Sequence, residues 1–113
     1  AYPAGELKHG TIALIEKGTP VIPIMTQEDT FEKMVSNIQE VIAREAQILA
    51  ITREGLNGLE GIADMNIEVP YAPDILAPLL ANIPLQLLAY YTAEKLGRDI
   101  DQPRNLAKSV TVE

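Results

Sequence analysis

Cysteine is missing from this chain altogether, and histidine occurs once. Without cysteine there is no disulfide framework and no thiolate metal site. With a single histidine, a dedicated transition-metal site is not expected either. The lack of thiols fits a reducing compartment, and a cytoplasmic protein is expected. Positive charge is also scarce. Lys and Arg number 9 against 16 Asp and Glu, for a net charge of −7 and a pI near 4.6. No basic face can be assembled from that balance, so no nucleic-acid partner is expected. The acidity leaves anion binding open, because phosphate is held by local N–H groups, hydroxyls and a few cations rather than by net charge. No apolar run approaches the length of a membrane span, and no signal peptide is visible. There is no phosphate-binding P-loop and no GxGxxG, so no nucleotide cofactor is expected. No Ser/Thr cluster follows a strand, since Ser36 falls in a helical pattern and Ser109 in the tail.

What is present suits one domain at most. The 113 residues are 47% apolar and 22% charged, an ordinary balance for a globular chain. Residues 5–17 read as a helix ended by Gly18. Residues 20–25 form a short apolar strand, which Pro20 and Pro23 push toward an edge. Phe31, Met34, Val35, Ile38, Val41 and Ile42 make one apolar stripe at helical spacing, with Asp29 and Glu32 placed as a capping box. A second buried strand covers 47–52. The glycine-rich stretch 53–65 reads as a loop with one helical turn, and 66–69 as a third strand. An apolar helix runs over 74–96 with Gly97 as its cap, and Pro84 is expected to kink or restart it at Asn82. Helices alternating with strands predict an α/β fold with a mostly parallel sheet. Three short strands are few for a complete doubly wound domain. The chain opens on Ala-Tyr-Pro-Ala-Gly rather than Met, so a piece of a longer protein is expected.

Two residues stand out for chemistry. His9 lies in Glu6-Leu-Lys-His-Gly10, where an imidazole can act as acid or base at neutral pH or can be an exposed polar position. Lys108 lies in a partly apolar tail. If buried there it can lose its proton and attack a carbonyl as an imine-forming nucleophile, and otherwise it is a solvated lysine. The carboxylates Glu6, Glu16, Glu28 and Asp29 show no metal-ligand or paired-acid spacing.

Ala4-Gly-Glu-Leu-Lys-His-Gly10 and Asp101-Gln-Pro-Arg-Asn-Leu-Ala-Lys-Ser-Val-Thr-Val-Glu113 resemble stretches of the glucosamine-6-phosphate synthases, and Pro84-Leu-Gln-Leu-Leu-Ala-Tyr90 is similar to a third. The resemblance implies a partial flavodoxin-like αβα sandwich, the later part of a sugar-isomerase (SIS) domain over 1–98, followed by a catalytic tail over 99–113. It implies an aminotransferase that converts fructose 6-phosphate and glutamine-derived ammonia to glucosamine 6-phosphate, without a cofactor. By position, Lys108 matches the lysine that forms a Schiff base with C2 of the sugar. His9 matches the histidine that helps open the fructose ring in the neighbouring subunit's site, which implies a homodimer. Ala107 matches a residue whose backbone touches the sugar, and Arg104 and Asn105 are expected to help order the tail. The family's proton-shuttling glutamate and its phosphate-holding Ser/Thr loops have no counterpart within residues 1–113, so the chain by itself is expected to be inactive. Two other readings stand beside this one. One is a phosphosugar-binding module without catalysis. The other is a dimerisation module built on the helix over 75–96.

Overall fold

A computed structural model of the chain describes residues 1–102. The N-terminal stretch is not the single helix that its composition predicts. It forms two 3₁₀ helices, Ala4–His9 and Thr11–Leu14. The break is Gly10, whose φ of 154° and ψ of −57° take the backbone out of helical space, into a region that a residue with a Cβ avoids. Ile15 continues in extended conformation, so the predicted length is never reached.

The strand expected over 20–25 is present in two pieces, β1 (Pro20–Val21) and β2 (Ile24–Met25). Both pair in parallel with β3 (Gln47–Arg53), and in one register. Pro20 stands opposite Gln47 and Val21 opposite Ile48, then Ile24 opposite Ile51 and Met25 opposite Thr52. They form a single edge lane interrupted at Ile22 and Pro23. Proline has no N–H to give to a ladder, but the Pro23 carbonyl still accepts from the Ile51 N–H at 2.9 Å. On the other side of β3 lies β4 (Met65–Val69), also parallel, with Leu49 opposite Met65 and Arg53 opposite Val69. No full crossover helix separates β3 from β4. A loop with one tight turn, in which Ile62 and Ala63 donate to the Leu59 carbonyl, makes the connection.

Between β2 and β3 runs α1 (Glu28–Ile42). It begins earlier than its sequence suggests. Gln27 is the N-cap, with no side-chain capping bond, and Asp29 sits inside the first turn beside Glu28. The expected Asp29–Glu32 capping box is therefore absent. Both acids instead lie where the positive end of the helix dipole favours them. The apolar stripe is placed as expected. Phe31, Ile38 and Val41 are buried with Met25, Ile48, Ala50, Leu59 and Ile12, while Met34, Val35 and Ile42 pack at the margin. Strand β3 is covered on both faces, since Ile48, Ala50 and Ile51 are each at most 1% exposed, the pattern a central parallel strand requires.

The last element, α2 (Ala77–Lys95), carries Pro78 in its first turn and runs through Pro84 as one helix, with no restart at Asn82. Losing one backbone donor does not end it. Its C-terminus is a Schellman closure. Gly97 has φ 62°, its N–H reaches the Glu94 carbonyl at 2.9 Å, and the Arg98 N–H reaches Ala93 at 2.9 Å. By its internal contacts the chain divides into two compact units, Ala1–Ala81 and Asn82–Glu113. The first holds the sheet, α1 and both 3₁₀ helices.

Candidate functional site

His9 is the last residue of the first 3₁₀ helix and is exposed. Leu7, partly buried against the core, anchors that helix. A 3₁₀ helix has three residues per turn, so side chains at i and i+3 eclipse one another. Glu6 and His9 have this relation, and Glu6 Oε2 lies 2.9 Å from His9 Nδ1. Both side chains are 63% exposed. An ionised carboxylate only accepts, so in this pair Nδ1 carries the hydrogen and donates. Among the described residues the His9 ring makes no other hydrogen bond. The ring is oriented, and Nε2 is the nitrogen left for other chemistry.

Lys108 and Ala107 lie outside the described residues, as do Arg104 and Asn105. Of the residues expected to carry chemistry, His9 is the one whose surroundings are described. Glu6 was visible in the sequence as one of several scattered acids. Its i, i+3 spacing to His9 was a signal, since such pairs eclipse in a 3₁₀ turn and are neighbours on an α-helix as well.

A second polar group gathers around the carboxyl end of β3, the end at which open parallel sheets usually hold ligands. Thr52, fully buried, donates through Oγ1 to Asn66 Oδ1 at 3.0 Å. Arg53 Nη2 donates to Glu28 Oε2 at 2.7 Å, and its guanidinium lies 4.9 Å from the centre of the Tyr71 ring. These contacts tie the end of β3 to the start of α1. They also occupy the cation, although Arg53 Nε is buried without a partner. Nearby, a shallow depression of ≈ 230 Å³ is lined by Leu56, Leu59, Asn66, Glu60 and Glu68 among others. Two carboxylates and no cation line it, which does not suit a phosphate. Among the described residues no group of three or more His, Cys, Asp or Glu is placed to hold a metal, and no helix is long and apolar enough to cross a membrane.

Comparison with known proteins gives this geometry its setting. Over all 113 residues the chain is 58% identical to a glutamine–fructose-6-phosphate aminotransferase [isomerizing] of Caldanaerobacter subterraneus and 58% identical to one of Clostridium acetobutylicum. It is 55% identical to that of Thermus thermophilus. All of this chain is covered, but only 19% of the length of each of these relatives. Among solved structures, the C-terminal domain of glucosamine-fructose-6-phosphate aminotransferase from Francisella tularensis is similar with a TM-score of 0.80 at 36% identity, covering 91% of this chain and 29% of that one. The parallel α/β arrangement is thus that of a solved relative and not only of a sequence pattern. The SIS domain model matches residues 1–94, which span both 3₁₀ helices, the whole sheet, α1 and nearly all of α2. The chain belongs to the SIS domain family.

Proposed function

We propose that this chain is the C-terminal part of a glutamine–fructose-6-phosphate aminotransferase, with residues 1–98 the later portion of a SIS domain and 99–113 a catalytic tail. The observation that carries the reading is the 58% identity over the full length of the chain to enzymes of that name. In this reading the substrate is a phosphosugar and the working unit is a homodimer in the cytoplasm. Lys108 attacks the C2 carbonyl of open-chain fructose 6-phosphate. The neutral amine nitrogen bonds to C2, the ketone oxygen leaves as water with both amine hydrogens, and the imine, on taking a proton from solvent, is a better electron sink than the ketone. Ala107 contributes its backbone to the sugar site. His9 moves the proton that opens the furanose ring, a task suited to an imidazole near neutral pH.

An amine attacks only when neutral, and a solvated lysine is almost wholly protonated at pH 7 because its reference pKa is about 10.4. Leu106, Ala107 and Val110 flank Lys108 in sequence and supply apolar surface for desolvating it once sugar is bound. The test uses the full-length protein. Lys108→Arg keeps the charge but cannot form an imine, so it should abolish sugar conversion and spare glutamine hydrolysis. Borohydride added with fructose 6-phosphate should leave a covalent adduct on Lys108, detected by peptide mass spectrometry. An adduct on Lys8 instead, or full activity in Lys108→Arg, removes Lys108 from the chemistry.

A further inference from the structure

We propose that Glu6 is the positioning residue of His9: its carboxylate holds the Nδ1–H, so that the Nε2 lone pair is the one presented to substrate. The inference rests on the reading of His9 given above and goes beyond it by naming the group through which His9 is set.

The geometry carries the assignment. Glu6 Oε2 and His9 Nδ1 stand 2.9 Å apart within one six-residue 3₁₀ helix, Ala4–His9. Three features hold them there. The eclipsed i, i+3 relation belongs to the 3₁₀ turn. Leu7 packs against the core between them in sequence, which fixes the rotation of the helix. Gly10, at φ 154°, ends the helix directly after His9, so the ring sits on a terminal turn. The pair does little for folding. With both side chains 63% exposed, its ion-pair strength is screened by water and offset by side-chain entropy. Its effect is instead on which nitrogen bears the proton, since the tautomer of a neutral histidine is set by the bond that its other nitrogen makes.

The proton movement follows. Nε2 takes the proton of the C2 hydroxyl of the cyclic sugar. The C2=O double bond forms as the C2–O5 bond breaks, and its electron pair goes to O5. The imidazolium, paired with the Glu6 carboxylate, returns the proton from Nε2 to O5. Nothing is consumed, and the ring is restored to its Nδ1–H form.

The test measures sugar conversion by the full-length protein with two substrates, fructose 6-phosphate and 5-deoxyfructose 6-phosphate. The second has no 5-hydroxyl and cannot close the ring. Glu6→Gln removes the charge and should lower kcat on fructose 6-phosphate by about tenfold to a hundredfold, a part of the roughly 10²–10⁴-fold that a positioned acid–base group contributes. KM should stay within about twofold, and the acyclic analogue should be converted at the wild-type rate. In a His9→Ala background Glu6→Gln should add nothing. If Glu6→Gln converts fructose 6-phosphate normally while His9→Ala is impaired, the role of Glu6 is overturned and that of His9 stands. Equal losses on both substrates also overturn it, because Glu6 then acts outside ring opening. If His9→Ala itself opens the ring at the normal rate, the reading of His9 fails first.

Discussion

At the scale of single residues, the polar contacts of the first unit are uneven in what they protect. Thr52 is fully buried and its hydroxyl has Asn66 as partner, whereas Asn66 is exposed. Asn66→Ala leaves a buried hydroxyl without its acceptor and should cost about 1–3 kcal/mol. Thr52→Val keeps the shape, removes the buried donor, and frees Asn66 to meet water, so it should cost less than about 1 kcal/mol. Urea denaturation of the two variants gives the order directly, and the opposite order would mean that the hydroxyl is satisfied elsewhere. Arg53 follows the same reasoning. Its partner Glu28 is 78% exposed, and its own Nε is buried and unpaired. Arg53→Met should therefore change stability by less than about 1 kcal/mol in either direction, despite the 2.7 Å ion pair it removes. None of these pairings could be read from the sequence. Thr52 and Asn66, like Arg53 and Glu28, are brought together only by strand register and by the entry of α1.

At the scale of elements, the apolar stripe of α1 was legible because its period matches the helix and its face is wide. Ile38 is 3% exposed within that stripe. Ile38→Ala should cost about 2–5 kcal/mol, read as a lower denaturant midpoint. An unchanged midpoint would mean that the helix does not pack on β3. Element ends were less legible. Asp29 has the right type for an N-cap, yet the helix begins at Glu28, with only Thr26 and Gln27 between it and the end of β2 at Met25. The cap of α2 was legible, since glycine takes φ near 60° without the Cβ penalty that most other residues carry. Gly97→Ala should cost about 1–2 kcal/mol locally and speed hydrogen exchange at the Gly97 and Arg98 amides, whose acceptors are Glu94 and Ala93. Retained protection there would show that the Schellman closure does not govern the end of the helix.

At the scale of the whole molecule, exposed apolar side chains dominate α2. Leu79, Ile83, Leu87, Leu88, Tyr90 and Tyr91 all lie on the surface, and only Ala77 and Ala81 are buried. Such a surface seeks a partner. The 113-residue chain should therefore associate with itself, with a sedimentation coefficient that rises with concentration, and Leu87→Glu with Tyr91→Glu should suppress the rise. A monomer at every concentration would show that this face has no affinity for itself. Because the chain spans only 19% of the length of its curated relatives, it should by itself yield no glucosamine 6-phosphate from fructose 6-phosphate and ammonia in a coupled assay.

The sequence alone determined the alternation of helix and strand, the core face of α1, the glycine cap of α2 and the two motifs that hold His9 and Lys108. Each depends on spacing or residue type within a short window, where periodicity and φ preference act directly. Tertiary structure decided the rest. It split the lane of residues 20–25 at a proline while keeping one register, and set β4 parallel beside β3 without a crossover helix. Both outcomes rest on the pairing of β3 with its three neighbours. The physical reason is that these outcomes turn on backbone pairing and packing between distant segments, whose energies exceed the local preferences that a sequence window displays.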